Sequence, residues 1–393
     1  MSRVELCGQY SLLRLEGVPY LLPYGQSVAE HRRGVRLDEA GVEAWEALLA
    51  ADSVDAFVEA RLRASGAQGS AREEERQDLL AFVEGLRAMG VLPQETEARV
   101  PHPARVMVAG GLRVGFSGRL ALLKDAFSPF YVDDLEAPCD QVVSVLRMPL
   151  PPLVGARLVI QTDELSVLEA SNVWVLQFRM SPALYGAHVA RDGSWARFYV
   201  GTPKSGEEDA LRDDLFHAIR FGFLVLAQQR GRTVLHSCSV RYRDRAVLFS
   251  GSSGTGKSTH ARLWEREFGV EQLNGDLNVL YVDDAGRARA SGLPWCGTSG
   301  VSQVFDLPLE AVVLLRQAPR DQVQELTPDE CQLFLMNRLI TPSWDTETLA
   351  QNVRAAGEIA RATSVCRLLA TRKPSAAQLM RAQVDVWIDG AEA

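Results

Sequence analysis

The chain has 393 residues, 47% of them hydrophobic and 23% charged, which excludes a disordered, collagenous or disulfide-framework protein. Its 42 Lys+Arg against 50 Asp+Glu give a net charge of -8, so neither nucleic acid nor an anionic membrane is an expected partner. The length predicts two or three domains, each large enough to bury a core of its own.

The cysteines (Cys7, Cys139, Cys238, Cys296, Cys331 and Cys366) are scattered, with no Cys-x-x-Cys and no histidine at zinc-ligand spacing. They read as reduced, mostly buried thiols. No basic-then-apolar leader opens the chain, and apolar runs such as Phe221 to Ala227 are too short to cross a bilayer. A soluble, cytoplasmic protein is expected.

Residues 1–93 read as one small domain. Tyr10 to Leu15 and Val18 to Leu22 flank Glu16-Gly17, a hairpin signal. Three helical segments follow. The first begins near Asp38 and aligns Val42, Trp45, Leu48 and Leu49; the second follows Ser53 as N-cap and aligns Val54, Phe57, Val58 and Leu62. After a Gly/Ser/Ala-rich loop at 65–70, the third carries Leu79, Phe82, Val83, Leu86 and Met89 and stops at Gly90. A linker is expected at 94–103, a polar stretch beginning beside Pro93 and ending on Pro103. Residues 104–205 are strand-rich, with β-branched runs at Leu158 to Gln161, Val173 to Phe178 and Ala196 to Val200. From Glu207 a helix sets Leu211, Leu215, Ile219 and Phe223 at i+4 spacing, a core stripe with His217 off it.

The segment that carries chemistry lies beyond. Ala246 to Ser250 reads as a buried strand and runs directly into Gly251, Ser252, Ser253, Gly254, Thr255, Gly256, Lys257, Ser258 and Thr259, after which a helix continues to Phe268 and stops at Gly269. This is G-x-x-x-x-G-K-[ST] in strand–loop–helix context. The glycines let successive N–H groups turn inward as an anion nest, and the helix N-terminus adds its partial positive charge. Lys257, one of only four lysines, would reach the β/γ-phosphates of a nucleotide, and the Ser258 hydroxyl would ligate Mg2+. Asp276, at the entry to the apolar strand that follows Asn274-Gly275, supplies the carboxylate such a site needs for metal or base. Val234 to Ser237 opens a strand that pairs, through a hairpin at Asp244, with the strand before the loop, which brings His236 near it. The glycine-rich stretch Gly292 to Gly300, with Trp295, Gly297, Thr298 and Ser299, suits a lid over phosphate or acceptor and reads equally as a plain turn. Arg316, closing the buried strand from Val312, is a candidate anion clamp.

Leu235-His236-Ser237, the glycine loop, Asn274-Gly275-Asp276 and Gly292 to Gly297 together resemble the HPr kinase/phosphorylase family, whose P-loop domain is related to that of phosphoenolpyruvate carboxykinase. The likeness spans roughly 104–385 and is strongest at 233–300. It implies an ATP- and Mg2+-dependent kinase acting on a seryl hydroxyl of a peptide or protein, with His236, Lys257 and Asp276 catalytic, Gly251 to Thr259 holding nucleotide, and Ser258 and Asp276 holding metal. The family carries two adjacent acidic residues where this chain has Gly275 and Asp276. One carboxylate then serves metal and base, or His236 takes the proton; reverse phosphorolysis is the activity most affected. The family's C-terminal substrate-binding signature is absent.

The first 93 residues resemble the peptide-recognition domain of pyrroloquinoline quinone biosynthesis, the PqqD type. Val35 to Gly41, Trp45 and Leu86 to Leu92 carry the likeness. Such domains take up a leader peptide as an added strand. The expectation is an α+β protein: a winged-helix-like, PqqD-like domain at 1–93, and a mixed-sheet P-loop kinase domain of the HPr kinase type at 104–393, strand-rich to 205 and nucleotide-binding from 206. Its substrate would be a peptide or small protein, such as a ribosomally made precursor, held partly through the N-terminal domain. The alternatives are a nucleotide-sensing peptide-binding protein without chemistry, or a small-molecule kinase or carboxykinase.

Overall fold

The computed structural model describes residues 4, 6, 9–29, 34–92, 103–151, 153, 156–170, 172–179 and 182–392. The expected linker at 94–103 lies, apart from Pro103, outside them, as does Cys7. The protein is mixed α+β with mixed sheets. Contact density divides it into two compact units: residues 1–105, 115–123 and 142–219, and residues 106–114, 124–141 and 220–393.

The first unit opens with the hairpin β1 (Tyr10–Leu15) and β2 (Val18–Pro23). Glu16 and Gly17 both take positive φ, 52° and 83°, which is the turn that suits strand twist. A one-turn helix α1 (Gln26–Ala29) and the short strand β3 (Val35–Arg36) follow, and β3 pairs antiparallel with β2 at the sheet edge. Helix α2 (Glu39–Ala50) is capped by the Asp38 side chain on Gly41 N–H, and α3 (Val54–Ser65) by Ser53 on Ala56 N–H. Helix α4 (Gly69–Ala88) begins inside the stretch expected to be loop, so only 66–68 separate it from α3. The apolar stripes of α2, α3 and α4 meet the inner face of the hairpin in one core that includes Leu21, Trp45, Leu48, Phe57, Leu62 and Val83.

Strands β4 (Arg105–Ala109) and β5 (Leu112–Gly118) contribute residues to both units. The two-residue strand β6 (Tyr131–Val132) pairs with β4. In the first unit, β7 (Gln141–Arg147) runs parallel to β12 (Trp195–Val200). The order continues antiparallel through β11 (Leu184–Ala190), β10 (Val173–Phe178) and β9 (Leu165–Ala170) to the edge strand β8 (Arg157–Gln161). Contacts thus group 142–205 with the N-terminal helices; Arg119 pairs with Glu74 and Asp78 of α4, and Arg197 with Glu84 at 3.5 Å. Helix α5 (Glu208–Gln229) then leads into the second unit.

That unit is built on two long strands, each shared between two sheets. The first half of β13 (Thr233–Tyr242) pairs with β16 (Leu277–Val282), and its second half with β14 (Arg245–Ser250) and the short β15 (Glu271–Asn274). Likewise β18 (Asp306–Gln317) starts against β17 (Ala288–Ser291), then runs parallel to β14 and β20 (Ser364–Ala370), while β19 (Gln322–Glu325) closes the edge. Helices α6 (Lys257–Phe268) and α9 (Pro374–Glu392) cover a core containing Val247, Phe249, Trp264, Val313 and Met380. Helices α7 (Pro328–Met336) and α8 (Thr346–Ala362) belong to a second core with Leu248, Leu280 and Val312. Strand β14 and the middle of β18, buried on both faces, read as continuous apolar runs for that reason, whereas β20 alternates buried and half-buried positions. Among the described residues no helix is long and apolar enough to cross a membrane.

Candidate functional site

The glycine loop leaves β14 at the carboxyl end of the parallel strands, where open α/β sheets place ligands. Gly254 and Gly256 have φ of 77° and 105°, values that a side chain would strain. Gly251 is required for a different reason: a Cβ there would stand 2.6 Å from Thr255 Oγ1 and 3.1 Å from the Leu315 carbonyl. The loop is braced from within, Thr255 Oγ1 donating to Ser252 O at 2.7 Å, and from outside, Gln317 Nε2 donating to Gly254 O at 2.9 Å. Lys257 folds back across the loop, its Nζ donating to the carbonyls of Gly251 (3.2 Å) and Ser252 (3.5 Å). The first N–H groups of α6 have no intrahelical acceptor, and those of Gly254 and Gly256 make no backbone bond among the described residues. The result is a concave surface of donors with an ammonium at its rim, which fits a chain of phosphates.

His236 and Ser237 sit at the point where β13 passes from one sheet to the other. His236 is the last residue of the β13–β16 register, opposite Leu277, and its Nε2 meets Asp276 Oδ1 at 3.1 Å, with 35% and 29% of the two side chains exposed. Asp276 is held by its backbone: its N–H donates to Asn274 Oδ1 (2.9 Å), and its carbonyl accepts from Ser237 N–H (2.8 Å). Asn274 is fixed in turn by Nδ2 donating to the Leu293 carbonyl at 2.8 Å. The buried Asn278 donates to both the carbonyl and the hydroxyl of Ser237 and accepts from Ser239. This polar lattice is fully bonded, which makes it rigid.

One sulfur connects the loop to the dyad. Cys238 Sγ donates to the Gly275 carbonyl at 2.9 Å and lies 3.7 Å from Ser258 Oγ. Burial raises the Cys238 pKa, keeping the thiol a donor. Ser258 and the peptide bearing Asp276 therefore flank the same atom.

The remaining expected contacts divide. Trp295 is 1% exposed and packs against Phe127 and Phe223, with ring centroids 5.9 and 5.6 Å away. It is a core pillar and not a lid, because its apolar surface is worth more buried than in a wet cleft. Gly297 and Thr298 are exposed, whereas Ser299 is tied down by its hydroxyl donating to Cys296 O at 2.7 Å. A Cβ on Gly275 would overlap both Ser299 Oγ and Ser299 Cβ, and one on Gly297 would stand 3.0 Å from Asp276 Cγ. The 296–300 turn thus occupies the space a side chain at 275 would need. Arg316 is exposed at the end of β18, one residue past the Leu315 carbonyl that faces Gly251.

Two arginines without a local sequence signal also reach the site. Arg338, beyond α7, donates from its guanidinium to Ser252 Oγ at 3.0 Å, and its carbonyl accepts from His236 N–H at 3.0 Å. Arg220, on α5, lies within electrostatic reach of Asp276; burial lowers its pKa and Asp276 opposes that. Among the described residues no group of three or more His, Cys, Asp or Glu side chains gathers to hold a metal. A cation here would have to be shared between Ser258, Asp276 and a bound phosphate. No model of a known protein family matches the chain, and no curated protein matches it.

Proposed function

We propose that this chain is an ATP-dependent kinase of the HPr kinase-like type that phosphorylates a Ser or Thr hydroxyl on a peptide. The observation that carries the proposal is the Cys238 sulfur: it touches Ser258 of the glycine loop and the Gly275–Asp276 peptide together, so triphosphate donors and the Asp276–His236 dyad serve one reaction space. Main-chain donors of 251–258 and the Lys257 ammonium bind the phosphates; Arg338, released from Ser252, adds a second cation. Ser258 Oγ and Asp276 would hold Mg2+, which when bound offsets phosphate charge. Asp276 Oδ1 orients the His236 ring through Nε2. As the acceptor oxygen bonds to the γ-phosphorus and the bridging oxygen leaves with ADP, the hydroxyl proton passes to that dyad.

The N-terminal region supplies recruitment in this reading. Strand β3 ends its sheet, and a cavity of about 230 Å³ lined by Val35, Leu37, Phe82, Leu86, Met148 and Leu150 opens beside it. An extended PqqD-type leader adding to that edge would place apolar side chains in the cavity, and tethering raises the local acceptor concentration. A second reading, a nucleotide-gated peptide binder without turnover, is favoured by the crowding at Gly275, which leaves the site one carboxylate. Full-length protein with γ-labelled ATP, Mg2+ and Ser-containing peptides separates the two. Label on peptide serine, lost in Asp276→Asn, supports the kinase; tight ATP binding with unlabelled peptide rejects it.

A further inference from the structure

Helix α4 and strands β7, β10, β11 and β12, all in the first unit, line a cavity of about 170 Å³. Close-packed interiors seldom keep a void larger than a water molecule, and one of about 150 Å³ takes up a benzene ring. The wall mixes apolar and charged groups. It carries Glu84 and Arg87 from α4, His188 from β11, and Trp195, Arg197 and Tyr199 from β12. Glu84 stands 3.6 Å from Arg87 and 3.5 Å from Arg197, and the Arg197 guanidinium lies over the Trp195 ring, 4.9 Å from its centroid. Two guanidiniums thus face one carboxylate, a local positive surplus in a chain whose net charge is -8.

His188 is the member of that wall with an unmet hydrogen bond. It is 5% exposed, its Nδ1 meets the Tyr199 hydroxyl at 3.1 Å, and its Nε2 has no hydrogen-bond partner among the described residues. Arg197, which can only donate, also acts on the Tyr199 oxygen, so the phenol's proton goes to Nδ1 and Nε2 carries the ring's N–H. The Pro151 carbonyl pulls on the ring as well, yet Nε2 closes no bond. A buried N–H without an acceptor is costly to keep unless a ligand supplies one. Donors and charge agree on that ligand: an acceptor-rich anion, a carboxylate on a compact body. The cavity also adjoins the one beside β3, since Gly85 and Pro151 line both. A Cβ on Gly85 would stand 3.1 Å from Met148 Cε and 3.6 Å from Pro151 Cγ, so glycine is what lets α4 close on the wall they share.

We propose that this cavity is a binding site for a carboxylate, held by the His188 N–H and the Arg197 guanidinium with its apolar body against Trp195. The acid is either an Asp or Glu side chain of a peptide lying along β3 or a free small acid. The site itself does not depend on the kinase reading; the peptide source rests on the recruitment proposed above. Full-length protein is titrated with benzoate and with benzamide, which share a shape and differ in charge, and binding is followed by ligand-observed NMR. Wild type should bind benzoate about tenfold or more tightly than benzamide, a charge-assisted contact's worth. Ala81→Leu, which fills the cavity from α4, should remove benzoate binding without lowering Tm. His188→Phe, which keeps a ring and loses the N–H, should erase the preference for acid over amide. Should His188→Phe not fold, Ala81→Leu carries the test. Short peptides rich in Val and Leu, each with one Glu or, at the same place, Gln, separate the two sources. A Glu preference lost in Ala81→Leu assigns the acid to a peptide; benzoate selectivity without it assigns the site to a free acid. Equal binding of benzoate and benzamide, binding of neither, or selectivity surviving in Ala81→Leu or His188→Phe overturns the proposal. Acid-selective binding with no phosphate transferred to peptide leaves the site standing and rejects the kinase.

Discussion

Gly275→Ala, a change of one methyl group, measures how tightly the second-carboxylate position is closed. Gly275 does not have positive φ, so any cost is steric rather than conformational. The added Cβ would overlap Ser299 Oγ and Cβ and lie 3.3 Å from the Cys296 carbonyl. Relief requires moving the turn, which strains the Ser299 Oγ to Cys296 O bond and the Val301 N–H to Ser299 Oγ bond of 3.2 Å. Overpacking of this kind costs about 1–3 kcal/mol, and a strained hydrogen bond about 1 kcal/mol more. In a unit of roughly 200 residues, each kcal/mol moves Tm by about 2–4 °C. A fall of about 4–16 °C is therefore expected by calorimetry. Ser299→Gly alone should cost about 1 kcal/mol through its lost bonds. The double variant should be more stable than the sum of the singles by about 1–2 kcal/mol, the coupling of contacting residues. Unchanged Tm in Gly275→Ala, or additive effects in the double variant, would refute steric closure by Ser299. Gly275→Asp, which would restore two adjacent carboxylates, should fail for the same reason unless Ser299→Gly accompanies it.

Other expectations follow from the same geometry. Lys257→Ala should abolish phosphoryl transfer with Tm nearly unchanged, because Nζ bonds only two loop carbonyls; lost folding would contradict this. Arg338→Gln should weaken ATP affinity about 10- to 100-fold, the scale of one charge-assisted contact, as read by titration. His188 and His260 are pulled down to about 4 by burial. The unfolded chain therefore binds more protons between pH 6.5 and 4, so stability is full above that window and falls as pH drops through it. Each imidazole accounts for up to about 3 kcal/mol. His260→Phe should flatten the pH dependence of unfolding of its unit, measured by denaturant titration between pH 7 and 5.

Local features of the site were legible because short-range chemistry determines them. The loop, its flanking strand and helix, the hairpin that aligns His236 and the position of Asp276 at the entry to its strand each depend on near neighbours in the chain. The helix start near Asp38 and the Ser53 cap were readable for the same reason. What sequence spacing could not convey is contact across long separations. Arg338 meets Ser252 86 positions away, and Arg220 sits beside a core stripe that gives no reason to single it out. The stretch with Trp295 suits a lid or a plain turn in sequence, because aromatics line clefts as well as cores; only its packing against Phe127 and Phe223 decides. Likewise, the grouping of 142–205 with the first 93 residues rests on contacts across long separations, with the Arg197–Glu84 ion pair among them, which composition does not report.

The claim everything else depends on is that a triphosphate tail lies in 251–258 with its metal end at Asp276. Titrating ATP into wild type, Ser258→Ala and Asp276→Asn, each with and without Mg2+, measures it most directly. The predicted result is binding that Mg2+ tightens about tenfold or more in wild type and scarcely at all in either variant. ATP that does not bind, or a Mg2+ effect of the same size in all three proteins, would contradict it.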